Sequence, residues 1–152
     1  MNRLSFIRPA MKAADRVRRF LWRLRRKAIH GVMALAYTPA GRLVLVRQTY
    51  MDGWCLPGGG RQPKEDPVEA ALRELRQEIG LVSWTEATRL GTVERQLSGA
   101  PAHIDLVRVK DVVFQFRKNW ETEEVGLFDR KDLPNDLNSW SLEFISAAQR
   151  LE

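Results

Sequence analysis

The chain has 152 residues, 44% of them hydrophobic and 29% charged, a length that suits one compact domain and leaves little room for two. Its 25 Lys and Arg against 19 Asp and Glu are divided unevenly: residues 1–28 hold ten basic side chains and one acid, Asp15, whereas residues 29–152 hold 15 basic and 18 acidic ones. The single cysteine, Cys55, excludes an internal disulfide, and the longest stretch free of Lys, Arg, Asp and Glu, from Ala28 to Gly41, is shorter than the ~20 apolar residues a spanning helix needs. These features lead to the expectation of a cytoplasmic protein with a basic arm over residues 1–28 and one domain over residues 29–152.

From Met11 to Ala28 the apolar residues Val17, Phe20, Leu21 and Leu24 fall on one side at helical spacing and the arginines on the other, which predicts a basic amphipathic helix. His30 to Tyr37 and Arg42 to Tyr50 are β-rich runs around a Thr38-Pro39-Ala40-Gly41 turn and predict a hairpin. Trp54-Cys55-Leu56 is a short apolar strand that ends at Pro57-Gly58-Gly59-Gly60, a stretch too rich in glycine to continue a regular element. The clearest helix is Pro67 to Ile79: Asp66 is placed to cap it, Pro67 occupies its first turn, and Gly80 ends it. Its expected buried stripe is Val68, Ala71, Leu72, Leu75 and Ile79. Arg89 to Gln96 and His103 to Phe116 read as strands around a Ser98-Gly99-Ala100-Pro101 loop, Val125 to Phe128 as a short strand, and Ser139 to Leu151 as a terminal helix. Strands on both sides of a central helix predict an α/β fold, a mixed sheet between helices.

The informative stretch runs from Gly59 to Leu81. Gly59 is followed after five residues by Glu65, after seven more by Arg73-Glu74-Leu75, then by Glu78 and Gly80-Leu81. On the helix Glu74 and Glu78 are i and i+4 and stack on one face. Two carboxylates so placed repel each other until a hard divalent cation such as Mg²⁺ arrives, which binds through one or two carboxylates together with substrate phosphates. Gly58, Gly59 and Gly60 allow backbone to approach a phosphate closely.

This pattern resembles the Nudix box, G-x5-E-x7-R-E-U-x-E-E-x-G-U with U aliphatic, and Trp54-Cys55-Leu56-Pro57-Gly58-Gly59 is similar to the family's lead-in. The resemblance implies an α/β/α sandwich of the Nudix type, extended by the N-terminal basic helix. It also implies an enzyme that hydrolyses a diphosphate bond in a nucleoside diphosphate linked to another group, with Mg²⁺ or Mn²⁺ as cofactor. Carried over by position, Glu74 and Glu78 become metal ligands, Glu74 also orients or deprotonates the attacking water, and Arg73 with Glu65 forms the ion pair that ties loop to helix. Gln77 departs from the pattern; it stands where the family has the first Glu of the Glu-Glu pair and brings an amide oxygen without charge. Glu121, Glu123 and Glu124 precede the Val125 strand, where family members carry a further acid. The choice among the three is open, with Glu124 the named candidate ligand. Arg47 and the three glycines are the candidate substrate contacts.

Plainer readings stand beside these. Carboxylates on an amphipathic helix are usually solvated, Arg73 has Glu69 within i−4 reach, and Cys55 in an apolar strand suits an inert thiol. His30 and His103 are too isolated in sequence to argue a zinc site. Trp54, Trp84, Trp120 and Trp140 suit the core or its edge. The alternative function, supported by Gln77, is a Nudix-fold module that binds a nucleotide or protein without hydrolysis; intact Glu65, Arg73, Glu74 and Glu78 argue against it. For the arm, packing on the domain or on a second subunit as a homodimer stands first, then an anionic membrane surface, then nucleic acid.

Overall fold

A computed structural model describes residues 9–18 and 28–152. Residues 9–18 form a helix, α1, two residues ahead of the expected start; the rest of the predicted amphipathic helix lies outside the described residues. Among its described residues the apolar ones of the expected stripe are not the covered ones. Ala13, Ala14 and Val17 are exposed while Asp15 is buried; Lys12 reaches across to Asp52 of the domain at 3.1 Å, and Arg18 pairs with Asp15 within the helix at 2.5 Å.

The domain begins with strands β1 (Ile29–Ala36), β2 (Leu43–Gln48) and β3 (Gly58–Gly60), continues through helix α2 (Pro67–Ile79), strands β4 (Leu81–Ser83), β5 (Glu86–Leu97), β6 (Ala100–Lys110), β7 (Val113–Phe114) and β8 (Thr122–Phe128), and ends with helix α3 (Ser139–Leu151). One sheet has the order β3-β1-β6-β5, with β1 and β6 parallel and the other pairs antiparallel; β2 pairs with β8 and β4 with β7. The expected hairpin of the first two runs is reduced to a single Tyr37–Leu43 bridge, since β2 takes β8 as its ladder partner.

Alternation assigns each strand's two faces to two cores. Val32, Ala34, Val44, Val46, Val107 and Val109 pack on Ala71, Leu72, Leu75 and Ile79 of α2. Leu35, Leu43, Leu45, Ile104 and Leu106 pack on Phe144, Ile145 and Ala148 of α3. The result is the expected α/β/α sandwich around mixed strand pairing.

Four local expectations change. Gly58–Gly60 is a strand after all, because its backbone has Met33, Val32 and Gly31 to pair with, and absence of a side chain is what permits the approach: a Cβ on Gly58, at φ 154°, would overlap the Val32 carbonyl oxygen. Trp54 and Cys55 form only isolated bridges, to Leu137 and Val46. The long strand His103 to Phe116 divides at Asp111, whose φ of 53° turns the chain so that β7 can pair with β4. Ala100 and Pro101 belong to β6, and the turn is the tight Ser98-Gly99 pair.

Candidate active site

Helix α2 is held at both ends by the residues its sequence supplies. Asp66 Oδ1 accepts from the N–H groups of Val68 and Glu69 at 2.9 and 3.1 Å, satisfying two orphan donors of the first turn. Gly80 closes the helix at φ 73°, ψ 46°, its N–H donating to the Leu75 carbonyl, the left-handed cap that glycine adopts without a Cβ penalty.

Between these caps the helix buries two carboxylates. Glu78 has no exposed surface and Glu74 is 6% exposed, so neither belongs to a solvated face. Glu78 accepts from Gln48 Nε2 at 2.6 Å and from the Gly58 N–H at 2.8 Å. Both partners are neutral dipoles, and burial pushes its carboxyl up to about 8 with help from the charges of Glu74 and Glu121. Burial also raises Glu74, partly opposed by Arg73, whose Nη1 donates to Glu74 Oε1 at 2.6 Å. Gly59 allows the approach, since a Cβ there would lie 2.9 Å from the Glu74 carboxylate atoms.

Arg73 joins loop to helix. Its Nε and Nη2 donate to the two oxygens of Glu65 at 3.0 and 3.3 Å and Nη2 also to the Gly60 carbonyl at 3.1 Å. The hydrogen bond from Arg73 comes first among the causes that hold the Glu65 carboxyl below its ordinary value. The Glu65–Arg73 pair and its junction with Glu74 are thus formed in the structure.

The third acid comes from the loop before β8. Asn119 Oδ1 accepts from the N–H groups of Glu121 and Thr122 at 2.9 and 2.8 Å. Thr49 N–H donates to the Glu121 carbonyl at 2.9 Å and Thr49 Oγ1 to the Trp120 carbonyl at 2.8 Å. So fixed, Glu121 adds its charge to the rise of both Glu74 and Glu78. Glu124 is directed elsewhere. It lies across from Arg47 in the β2–β8 ladder, and cross-strand partners share a face; its carboxylate is 3.4 Å from Arg47 Nε.

Arg47 itself donates to Asp136 at 2.7 Å and lies 4.5 Å over the Trp54 ring. It belongs to the α3 side of β2, whereas the next residue, Gln48, faces Glu78. Gln77 is exposed, and its backbone carbonyl accepts from Asn119 Nδ2 at 3.5 Å. The structure therefore brings together Glu65, Arg73, Glu74, Glu78 and the three glycines, and sets Arg47, Glu124 and the Gln77 side chain apart from them. Cys55 is buried, its thiol pushed up to about 12 by that burial. Trp54 is buried as expected, but Trp120, expected at the core or its edge, is 61% exposed beside Glu121.

Gln48 is a site residue that the sequence pattern alone did not single out, while Glu121 is the one of the three open acids whose charge acts on both Glu74 and Glu78. The signal for Gln48 was present: it continues the Val44, Val46 face and is the polar member of that face. Among the described residues no three histidine, cysteine or carboxylate side chains are grouped so as to hold a metal ion by themselves. Glu74 and Glu78, both raised by burial and both feeling the charge of Glu121, instead offer two adjacent carboxylates, which suits a hard cation that completes its shell with water and phosphate oxygens.

Comparison with known proteins agrees with this geometry. The NUDIX domain profile matches residues 28–148. Human diphosphoinositol polyphosphate phosphohydrolase 3-alpha is 35% identical over 79 residues, 52% of this chain and 46% of the relative. An RNA pyrophosphohydrolase from Xanthomonas campestris is 48% identical over 42 residues, 28% of this chain and 20% of the relative. The chain thus spans less than half the length of these curated relatives. Among solved structures, a MutT protein from Methanosarcina mazei superposes with a TM-score of 0.68 at 22% identity, over 81% of this chain and 94% of that one. A UDP-X diphosphatase gives 0.60 at 22% identity, over 82% and 64%. With the profile covering residues 28–148 and the box residues assembled around α2, this chain belongs to the Nudix family.

Proposed function

We propose that the protein hydrolyses a diphosphate bond in a nucleoside diphosphate linked to another moiety, with Mg²⁺, or Mn²⁺ in its place, bound by Glu74, Glu78 and Glu121. The observation that carries this reading is the buried Glu74–Glu78 pair, one helical turn apart and lacking sufficient positive charge of its own. When bound, the divalent ion would neutralise charge on the phosphate oxygens and lower the pKa of a bound water.

The chain's own residues supply the rest. Glu74 is the group placed to orient or deprotonate the attacking water, and Arg73 holds its carboxylate in one position. Glu78, gripped by Gln48 and Gly58, anchors the ion on the helix. Backbone of the Gly58–Gly60 strand forms the wall against which phosphate oxygens lie. In an in-line displacement this is mainly positioning and electrostatics.

A product-release screen tests the reading, over ADP-ribose, nucleotide sugars, dinucleoside polyphosphates, oxidised nucleoside triphosphates, diphosphoinositol polyphosphate and 5′-triphosphorylated RNA. The last two follow from the names of the relatives. We expect turnover of at least one compound that requires Mg²⁺ or Mn²⁺ and falls by about 10²-fold or more in Glu78→Gln. A second reading, a nucleotide-binding module without turnover, draws on the exposed Gln77 and on the Arg73–Glu74 contact. Calorimetric binding of a panel compound with no product under any metal condition would favour it.

A further inference from the structure

The loop between Gly60 and Asp66 has no regular structure, yet it decides where Glu65 stands. Arg61 holds it. The Arg61 side chain is 11% exposed; Nε and Nη2 donate to Asp105 Oδ2 at 2.9 and 2.6 Å, and Nη1 donates to the carbonyls of Gln62, Pro63 and Glu65 at 3.0, 3.1 and 3.2 Å. A guanidinium alone can make this arrangement, because its fork presents five donors in one plane.

The other end of the contact is equally fixed. Asp105 is 1% exposed and sits in β6 with Val32 and Thr92 as register neighbours. Its Oδ1 accepts from Arg89 Nε at 2.8 Å and Thr92 Oγ1 at 2.7 Å. Burial pushes this carboxyl up, but the hydrogen bonds from Thr92, Arg89 and Arg61 outweigh it and hold it below the ordinary value. A buried carboxylate with this many partners is a rigid post. From it a continuous chain of charged hydrogen bonds runs through Arg61 to the loop, then from Glu65 to Arg73 and on to Glu74.

We propose that Arg61, buttressed by Asp105, is a positioning residue: it locks residues 62–65 so that Glu65 grips Arg73 and Arg73 holds the Glu74 carboxylate beside Glu78. This rests on the hydrolase reading above. It adds a contribution from β5 and β6, strands outside the box, to the geometry of the reacting groups. A merely structural ion pair would stabilise the sheet edge and leave Glu74 where it is.

The test uses the full chain and its Arg61→Met, Arg61→Lys and Asp105→Asn variants. Arg61→Met leaves Asp105 its Arg89 and Thr92 bonds, so the fold has reason to survive; circular dichroism melts establish this. Two readouts follow, kcat and KM on a panel compound the parent hydrolyses, and Mn²⁺ binding to the free protein by electron paramagnetic resonance.

We expect Arg61→Met to lower kcat by about 10- to 100-fold with KM within about threefold, and to weaken Mn²⁺ binding severalfold. Asp105→Asn should follow it, acting through Arg61. Arg61→Lys should fall between, since an ammonium reaches Asp105 but cannot also span three carbonyls. Variants that melt lower yet keep kcat and Mn²⁺ affinity within twofold of the parent overturn the proposal and leave the hydrolase reading standing. If the parent turns over nothing on the panel, that reading fails, and unequal Mn²⁺ binding by parent and Arg61→Met still supports the positioning role. A parent that binds no Mn²⁺ either overturns both.

Discussion

Glu78 is fully buried against an amide and a backbone N–H, and the nearby charges acting on it, Glu74 and Glu121, are negative. In the metal-free protein its carboxyl is displaced from 4.5 to about 8, chiefly by burial. The sign for stability follows from proton counting. Between about 4.5 and about 8 the folded chain keeps a proton that the unfolded chain has released, so this contribution is complete below the unfolded value and is lost as pH rises through the folded one. Glu74 is shifted in the same direction and adds to the loss. In EDTA the melting temperature should fall between pH 6 and pH 9 by about 5 °C or more, and Glu78→Gln should flatten the fall. Mg²⁺ favours the ionised carboxylate and should raise the melt more at pH 9 than at pH 6. A flat profile in EDTA, or equal rescue by Mg²⁺ at both ends, would show that Glu78 is not a proton-bearing group opened by metal.

At the scale of elements, the outcome for the third acid depends on one irregularity. Arg47 pairs with Glu124, but the next residue, Gln48, pairs with Thr122, so Glu123 is an extra residue in β8. Such a shift re-aims the side chains beyond it. It puts Thr122 opposite Gln48 and leaves Glu121, on the loop tied down by Asn119 and Thr49, close enough for its charge to act on the buried carboxylates of α2. Glu121→Gln should therefore lower kcat by about 10- to 100-fold, while Glu124→Gln, which touches Arg47 on the opposite face, should stay within about threefold; steady-state kinetics of the pair decides it. The reverse order would mean that Glu124, not Glu121, serves the site. Sequence could not make this choice, because three nearly adjacent acids differ only through a register set by a distant strand. The helix was legible for the converse reason: Asp66, Pro67 and Gly80 encode its ends locally, and its apolar spacing encodes its buried face. The same local reading missed β3, whose pairing is supplied by β1, and over-extended β6, which a positive φ at Asp111 divides.

For the whole molecule, the uneven charge along the chain acquires a location. Lys12 reaches Asp52, and Arg18 is close enough for its charge to act on Tyr50, which also feels Glu78 and Glu121. Residues 9–18, with Lys12, Arg16 and Arg18, are therefore held near the acidic group that would receive the metal and the diphosphate. One exposed ion pair such as Lys12–Asp52 contributes only ~0–1 kcal/mol, and among the described residues both cores are built from residue 29 onward. Removing residues 1–27 should accordingly leave the fold and kcat close to the parent, kcat within about threefold. Its effect should appear in the capture of anions. A strongly positive segment attached to the domain through residues near the site raises the local concentration of polyanionic substrates, and salt screens it over about 10 Å at 0.1 M. KM for the most highly phosphorylated substrate should rise by about tenfold at low ionic strength on truncation, with little change for ADP-ribose, and the difference should vanish near ~0.5 M NaCl as screening shortens. A KM change equal for all substrates and insensitive to salt would instead make the segment a packing element, its arginines without a part in binding.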